Sequence, residues 1–204
     1  MDKPVGLILA GGLSRRMGGG DKALRPLGAG TVLGAVVARV APQVSGLVLN
    51  ANGDAARFGL ALTVVPDTLP DAPGPLAGLL AGLDHAARHR PEVRYLLTVP
   101  ADCPFLPDDL AARLLQACVA HGSTAAIAAS GGRSHPVVGL WEVTLRERLR
   151  TALVDEAEHR VGRFAAAVGA VTVEWPAAPA DPFFNVNTPE DLAQAERMLA
   201  DGAG

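Results

Sequence analysis

A chain of 204 residues and 20.9 kDa, 49% hydrophobic and 19% charged, suits one compact domain with a substantial core and excludes a large multidomain machine. Eighteen basic residues against 21 acidic ones leave a formal charge of -3, so no summed field draws a nucleic-acid backbone or an anionic membrane, and any phosphate ligand has to be held by local chemistry. Two cysteines, Cys103 and Cys118, supply neither a disulfide framework nor a four-ligand zinc site and fit a reducing cytosol, and no apolar stretch approaches the roughly 20 residues of a membrane span.

In chain order, short apolar runs alternate with stretches of helical period, the pattern of β-α-β units. Strands are expected at Val5 to Ala10, Leu47 to Asn50, Leu62 to Val65, Tyr95 to Val99, Ala125 to Ala129, Val137 to Trp141 and Val171 to Glu174. Several lack polar alternation and so belong to a sheet covered on both faces. Helices are expected at Val32 to Val40 behind a Thr31 cap, Leu76 to Arg88 after Pro75, Leu110 to Ala120, Leu145 to Leu153, and Asp191 to Leu199 after Pro189. Gly131-Gly132 marks a hairpin tip, hence one antiparallel strand in an otherwise parallel order. The fold class is therefore α/β, Rossmann-like, a mainly parallel sheet flanked by helices, in one domain over residues 1–204. The loop from Pro66 to Pro75 follows a strand and falls at the carboxyl edge of the sheet, where open α/β folds bind ligands.

The most informative segment directly follows the first strand: Leu9-Ala10-Gly11-Gly12-Leu13-Ser14-Arg15-Arg16-Met17-Gly18-Gly19-Gly20-Asp21-Lys22. Its glycines let backbone N–H groups approach a phosphate chain, and Arg16 and Lys22 can neutralise its charge. A Walker A loop is disfavoured, because Lys22 follows Asp21 and precedes Ala23 where Gly-Lys-Ser/Thr is needed. The degenerate G-x-G-x-x-A over Gly18 to Ala23 starts well past the strand end, which weakens a dinucleotide reading. Ser14-Arg15-Arg16 has the lettering of a twin-arginine export signal, but no apolar segment follows it, and the protein is expected in the cytoplasm.

A second segment, Pro100-Ala101-Asp102-Cys103-Pro104, ends the strand Tyr95 to Val99. A carboxylate there can hold a divalent cation bridging phosphate oxygens, or it can cap the turn into the next helix. Other residues carry plainer readings. His85 and His89, four apart on a helix, fit a solvated face, and Cys103 fits a small buried thiol. No Ser-His-Asp or Cys-His arrangement stands out.

The glycine-rich segment and Pro100 to Pro104, with Asn185-Val186-Asn187-Thr188-Pro189-Glu190-Asp191-Leu192, resemble the molybdenum cofactor guanylyltransferase family over nearly the whole chain. Leu49-Asn50-Ala51-Asn52, Val65-Pro66-Asp67 and Pro73-Gly74-Pro75-Leu76-Ala77-Gly78 agree with it. The resemblance implies a nucleotidyltransferase fold and transfer of GMP from GTP to the phosphate of molybdopterin, giving molybdopterin guanine dinucleotide and pyrophosphate. It implies that Leu9, Ala10, Gly11, Gly12, Lys22, Asn50, Asp67, Gly78 and Asp102 line the guanine nucleotide. Asp102 would hold Mg2+, and Arg16, Lys22 and Asp102 would be catalytic. His135, Asn185 and Asn187 fall on the pterin side, where His135 either contacts pterin phosphate or orders its loop, and the two asparagines contact pterin or cap the last helix. Partners are GTP and molybdopterin, then molybdoenzyme chaperones or other cofactor-biosynthesis proteins. Gly28-Ala29-Gly30-Thr31 departs from the basic or proline residue many relatives carry there. The alternatives are a cytidylyl or sugar/isoprenoid phosphate nucleotidyltransferase of the same fold, or a GTP-binding assembly module. Gly11 in place of the alanine of related cytidylyl enzymes favours guanine.

Overall fold

Segments that carry branched apolar side chains on both faces can bury them only in a sheet layered by helices on each side. The computed structural model describes residues 2–10, 22–69 and 74–202 and shows this arrangement. In chain order the strands are β1 (Val5–Leu9), β2 (Pro26–Leu27), β3 (Gly30–Thr31), β4 (Gly46–Asn50), β5 (Thr63–Val65), β6 (Tyr95–Pro100), β7 (Ala125–Ser130), β8 (Arg133–Glu142) and β9 (Val171–Trp175). The helices are α1 (Val32–Val40), α2 (Pro75–His89), α3 (Leu110–His121), α4 (Arg146–Val154), α5 (Val161–Ala167) and α6 (Pro189–Ala200). Seven strands pair in the order β5-β4-β1-β6-β8-β7-β9, and only β8 runs against its neighbours.

Successive strand residues serve opposite layers, as a period of two requires. Ile8, Leu49 and Leu97 pack with Leu33 and Val36 of α1 and Leu110 and Leu114 of α3, whereas Leu7, Val48 and Leu96 pack with α2, α4 and α5. Thr31 caps α1 by accepting the Gly34 N–H, and Thr188 caps α6 in a reciprocal box with Asp191. The departure at Gly28 to Thr31 has a structural use. Gly28, at φ +56, turns the β2–β3 hairpin, and its N–H donates to Glu196 Oε1 of α6. Leu27, Val32, Phe105, Val186 and Ala195 then form a small apolar cluster that fixes hairpin and α6 to the sheet edge beside Lys22.

Three features differ from expectation: the β2–β3 hairpin, helix α5 and the start of β8. Helix α5 is additional; Val161, Phe164 and Ala165 are buried at helical spacing, but the polar run Asp155 to Arg160 before them masks the period. Strand β8 begins at Arg133 instead of Val137, because a polar start can still pair across the hairpin with Ser130. Pro136 cannot donate to the ladder, and the register shifts beside it, where Ala128 pairs with His135 but Ile127 with Gly139.

Candidate active site

Strands β4, β1 and β6 end side by side, so the residues that follow them share the carboxyl edge. The Ala10 N–H donates to Asn50 O at 2.9 Å and the Ala101 N–H to Leu9 O at 3.1 Å, which continues the pairing past the strand ends. Asp102 stands one residue further on and is only 7% exposed. Its Oδ2 accepts from Lys22 Nζ at 2.5 Å, and Lys22 also donates to Asn187 Oδ1 at 2.7 Å. Lys22, Asp102 and Asn187 therefore meet at one point. Asp102 Oδ1 is buried and has no hydrogen-bond partner among the described residues. A carboxylate oxygen so placed is costly without a ligand. Among the described residues its carboxylate caps no backbone N–H, and α3 is instead preceded by Asp109.

The donor set fits a hard cation. Among the described residues no group of three or more His, Cys, Asp and Glu could hold a metal. Magnesium characteristically takes one or two carboxylates and completes its shell with water and substrate phosphates, so a lone strand-end carboxylate with an open, buried oxygen suits it.

On the other side of β1 the structure brings Asn50, Asn52 and Asp67 together. Asn50 Nδ2 donates to Val65 O at 3.0 Å and to Asp67 Oδ1 at 2.9 Å, while Asn52 Nδ2 donates to Asp67 Oδ2 at 2.7 Å. The Asp67 N–H returns a bond to Asn52 Oδ1, so this small network is reciprocal. Gly78 of α2 packs against it. A Cβ there would stand 2.2 Å from Asn50 Oδ1 and 2.7 Å from Leu9 Cδ2, so only glycine lets the helix approach the strands this closely. Gly78 thus shapes the wall through packing. Leu9 and Ala10 are half-buried beside it, and Gly11, Gly12, Arg16 and Pro73 lie outside the described residues.

The segment from Asp181 to Asn187 crosses the edge from β7 to β6. Val186 N–H donates to Asp102 O at 2.9 Å, and the buried Cys103 thiol donates its one proton to Asn185 Oδ1 at 2.7 Å, with Phe183 O further off at 3.7 Å. Burial, then the charges of Asp102 and Asp181, push that thiol well above its usual range and keep it protonated. The side chains of Asn185 and Asn187 take no part in capping α6; Thr188 does that. His135 is half-buried, with Nε2 2.8 Å from Ser130 Oγ and its ring 4.9 Å from that of Phe183. Burial lowers its pKa, assisted by Arg133 and opposed by Asp181.

Ser130 and Asp181 are site-edge residues that sequence reasoning missed. Ser130 donates to Asp181 Oδ1 at 2.8 Å, so a serine, a histidine and an aspartate do come together. They are not a nucleophilic triad, in which the imidazole lies between and accepts the hydroxyl proton. Here the serine is the bridge and its proton faces the carboxylate. His85 and His89 stack at 4.5 Å on α2, away from this edge.

Comparison with known proteins identifies the family and the fold. Residues 6–171 match the family model of the MobA-like NTP transferase domain. A molybdenum cofactor guanylyltransferase of Bradyrhizobium sp. (strain ORS 278) is 60% identical over 196 residues, covering 96% of this chain and 92% of its own. The fold is shared with molybdopterin-guanine dinucleotide biosynthesis protein A of Archaeoglobus fulgidus, at TM-score 0.74 and 21% identity over 97% of this chain and 99% of that one. It is also shared with a Mycobacterium tuberculosis protein solved in complex with manganese, at TM-score 0.69 and 18% identity over 96% and 98% of the two chains. With one family model spanning most of its length and so near a relative along almost all of it, the chain belongs to the MobA-like NTP transferases and, among them, to the molybdenum cofactor guanylyltransferases.

Proposed function

We propose that the protein transfers GMP from GTP to the phosphate of molybdopterin, releasing pyrophosphate, at the edge formed by β4, β1 and β6. One observation carries this reading: Lys22 and Asp102 meet at the end of β6, with the buried Asp102 Oδ1 left without a hydrogen-bond partner among the described residues. The acceptor is a phosphate monoester whose second ionisation lies near pH 6, so it is largely dianionic at neutral pH and already nucleophilic. An oxygen of that phosphate forms a bond to the α-phosphorus, and the bond from the α-phosphorus to the bridging oxygen of pyrophosphate breaks. No proton has to move. The protein's task is to align two anions and offset their repulsion.

Asp102 would hold the divalent cation, magnesium in this reading. Such an ion, when bound, neutralises charge on the triphosphate. Lys22 supplies a second positive charge, with Arg16 in the same loop. Asn187 Oδ1 accepts from Lys22 Nζ, whose ammonium also bonds Asp102 and keeps a third N–H. Asp67 accepts one bond on each oxygen from Asn50 and Asn52, and a carboxylate has room for about four, so it retains acceptor capacity for the N–H donors of guanine. Asn185 and Asn187 lie toward the acceptor, and His135 orders the loop. In this reading the enzyme works in the cytoplasm and passes its product to chaperones or other cofactor-biosynthesis proteins; no helix among the described residues is long and apolar enough to cross a membrane.

The test is pyrophosphate release with magnesium, molybdopterin and each of the four nucleoside triphosphates. GTP should exceed CTP in kcat/KM by about 100-fold or more, because groups placed for one base edge are left unpaired by another. Equal use of CTP would overturn the selectivity for guanine and leave the fold reading standing. GTP binding without pyrophosphate release would leave an assembly module, and preference for a sugar phosphate acceptor would remove the pterin.

A further inference from the structure

We infer that Ser130, Asp181 and His135 form a positioning unit for the acceptor side, setting affinity for the acceptor phosphate without touching the nucleotide. The inference rests on the proposed placement of Asn185 and Asn187 toward that acceptor. Ser130 is the last residue of β7 and only 3% exposed, so its hydroxyl has to be satisfied inside the protein. A hydroxyl has one proton to give. Ser130 gives it to Asp181 Oδ1, and its oxygen therefore accepts from His135 Nε2–H. Asp181 Oδ1 accepts a second bond, from the Phe183 N–H at 2.9 Å, which folds the chain at the start of the 181–187 segment. The Phe183 ring is then held between His135 and Trp175, edge-on to the latter at 5.5 Å.

From that anchor the segment is fixed at successive residues. Cys103 donates to Asn185 Oδ1, Val186 N–H donates to Asp102 O, and Lys22 donates to Asn187 Oδ1. Both asparagines therefore have their amide oxygens engaged with the protein. Each keeps an NH2 group as its remaining hydrogen-bonding function, a donor suited to phosphate oxygens. The far anchor at Ser130 sets where the 183–185 stretch and its Asn185 donor stand, whereas the 186–187 end is held separately by Asp102 and Lys22, and a displacement of about 1 Å in such a group costs up to about 100-fold in rate. The unit acts through the segment, and its members are positioning residues.

Steady-state transfer by the full chain, with GTP, magnesium and molybdopterin, tests this in Ser130→Ala, Asp181→Ala and Asp181→Asn. Asparagine keeps the Oδ1 that accepts both bonds and loses only the charge. The alanine variants should raise the molybdopterin KM about tenfold or more, with GTP KM and the thermal shift given by GTP within about twofold of wild type. Asp181→Asn should stay within about threefold of wild type on every parameter. The inference is overturned by an unchanged acceptor KM in both alanine variants. A loss in Asp181→Asn equal to that in Asp181→Ala would overturn it too, since charge would then matter, as would a parallel rise in GTP KM. If Asp181→Ala does not fold, Ser130→Ala and Asp181→Asn still decide. A wild-type protein that transfers nothing to molybdopterin defeats the proposed function itself, whereas an active wild type with indifferent variants defeats only this inference.

Discussion

Asp102→Asn is expected to reduce GMP transfer by about three to four orders of magnitude, roughly what loss of a hard-cation ligand at the reacting phosphates removes. The amide keeps the size of the side chain and one acceptor oxygen, which can still receive Lys22 Nζ. What disappears is the anionic oxygen at the buried Oδ1 position. In the ligand-free protein the change should be small. It weakens a pair in which the Lys22 side chain is 28% exposed, worth about 1 kcal/mol, and it also removes a buried charge, which offsets part of that loss. Melting curves with magnesium and GTP should separate the effects, since the stabilisation the two give together should shrink far more than the unliganded Tm. Near-wild-type transfer by Asp102→Asn would reject the metal-ligand role. Asp67 would then be the next carboxylate to try, although Asn50 and Asn52 already engage both of its oxygens.

Lys22→Ala should lower kcat/KM for GTP by about 10- to 150-fold, the equivalent of about 1.5 to 3 kcal/mol for one charge-assisted contact. The motif alone presents Lys22 as a group waiting for phosphate. The structure gives it a resting function too, joining Asp102 to Asn187 across 80 and 165 residues of chain. Removing it leaves the Asp102 carboxylate without a partner on either oxygen among the described residues. Lys22→Ala should therefore also unfold more readily without ligand, by about 1 kcal/mol after allowance for its partial exposure. Urea denaturation and steady-state kinetics on one preparation would test both parts. If stability and kcat/KM both match wild type, the residue has no place in the site.

The strands of the parallel sheet were readable because burial on both faces forces continuous apolar runs such as Val5 to Leu9 and Tyr95 to Val99. The α1 cap was readable for an equally local reason, Thr31 standing directly before the helix, whereas α6 is capped by Thr188 and not by the side chains of Asn185 or Asn187, which the sequence also offers for that role. Polar neighbours hid what was missed. Arg133 and Ser134 at the start of β8 do not look like strand residues, and Asp155 to Arg160 obscure the turn into α5. The site followed the same division. Lys22 and Asp102 could be picked out because each lies in a motif at a strand end, but their contact could not. Ser130 and Asp181 lie 51 residues apart and Cys103 and Asn185 82 apart, with no local pattern joining them. Only the packing of the 181–187 segment along the edge brings them together. Gly11, Gly12 and Arg16 lie outside the described residues, so their expected roles rest on the motif.

The central claim is nucleotidyl transfer to a pterin phosphate, and the destination of label tests it most directly. Two parallel reactions with magnesium and molybdopterin would use GTP labelled at the α- or at the γ-phosphorus, with products separated by chromatography. The account predicts that α-label enters a product containing both guanine and pterin, while γ-label leaves entirely as pyrophosphate, in equal amount. Transfer of γ-label to the acceptor, or α-label recovered only in GTP, GDP or GMP, would contradict it.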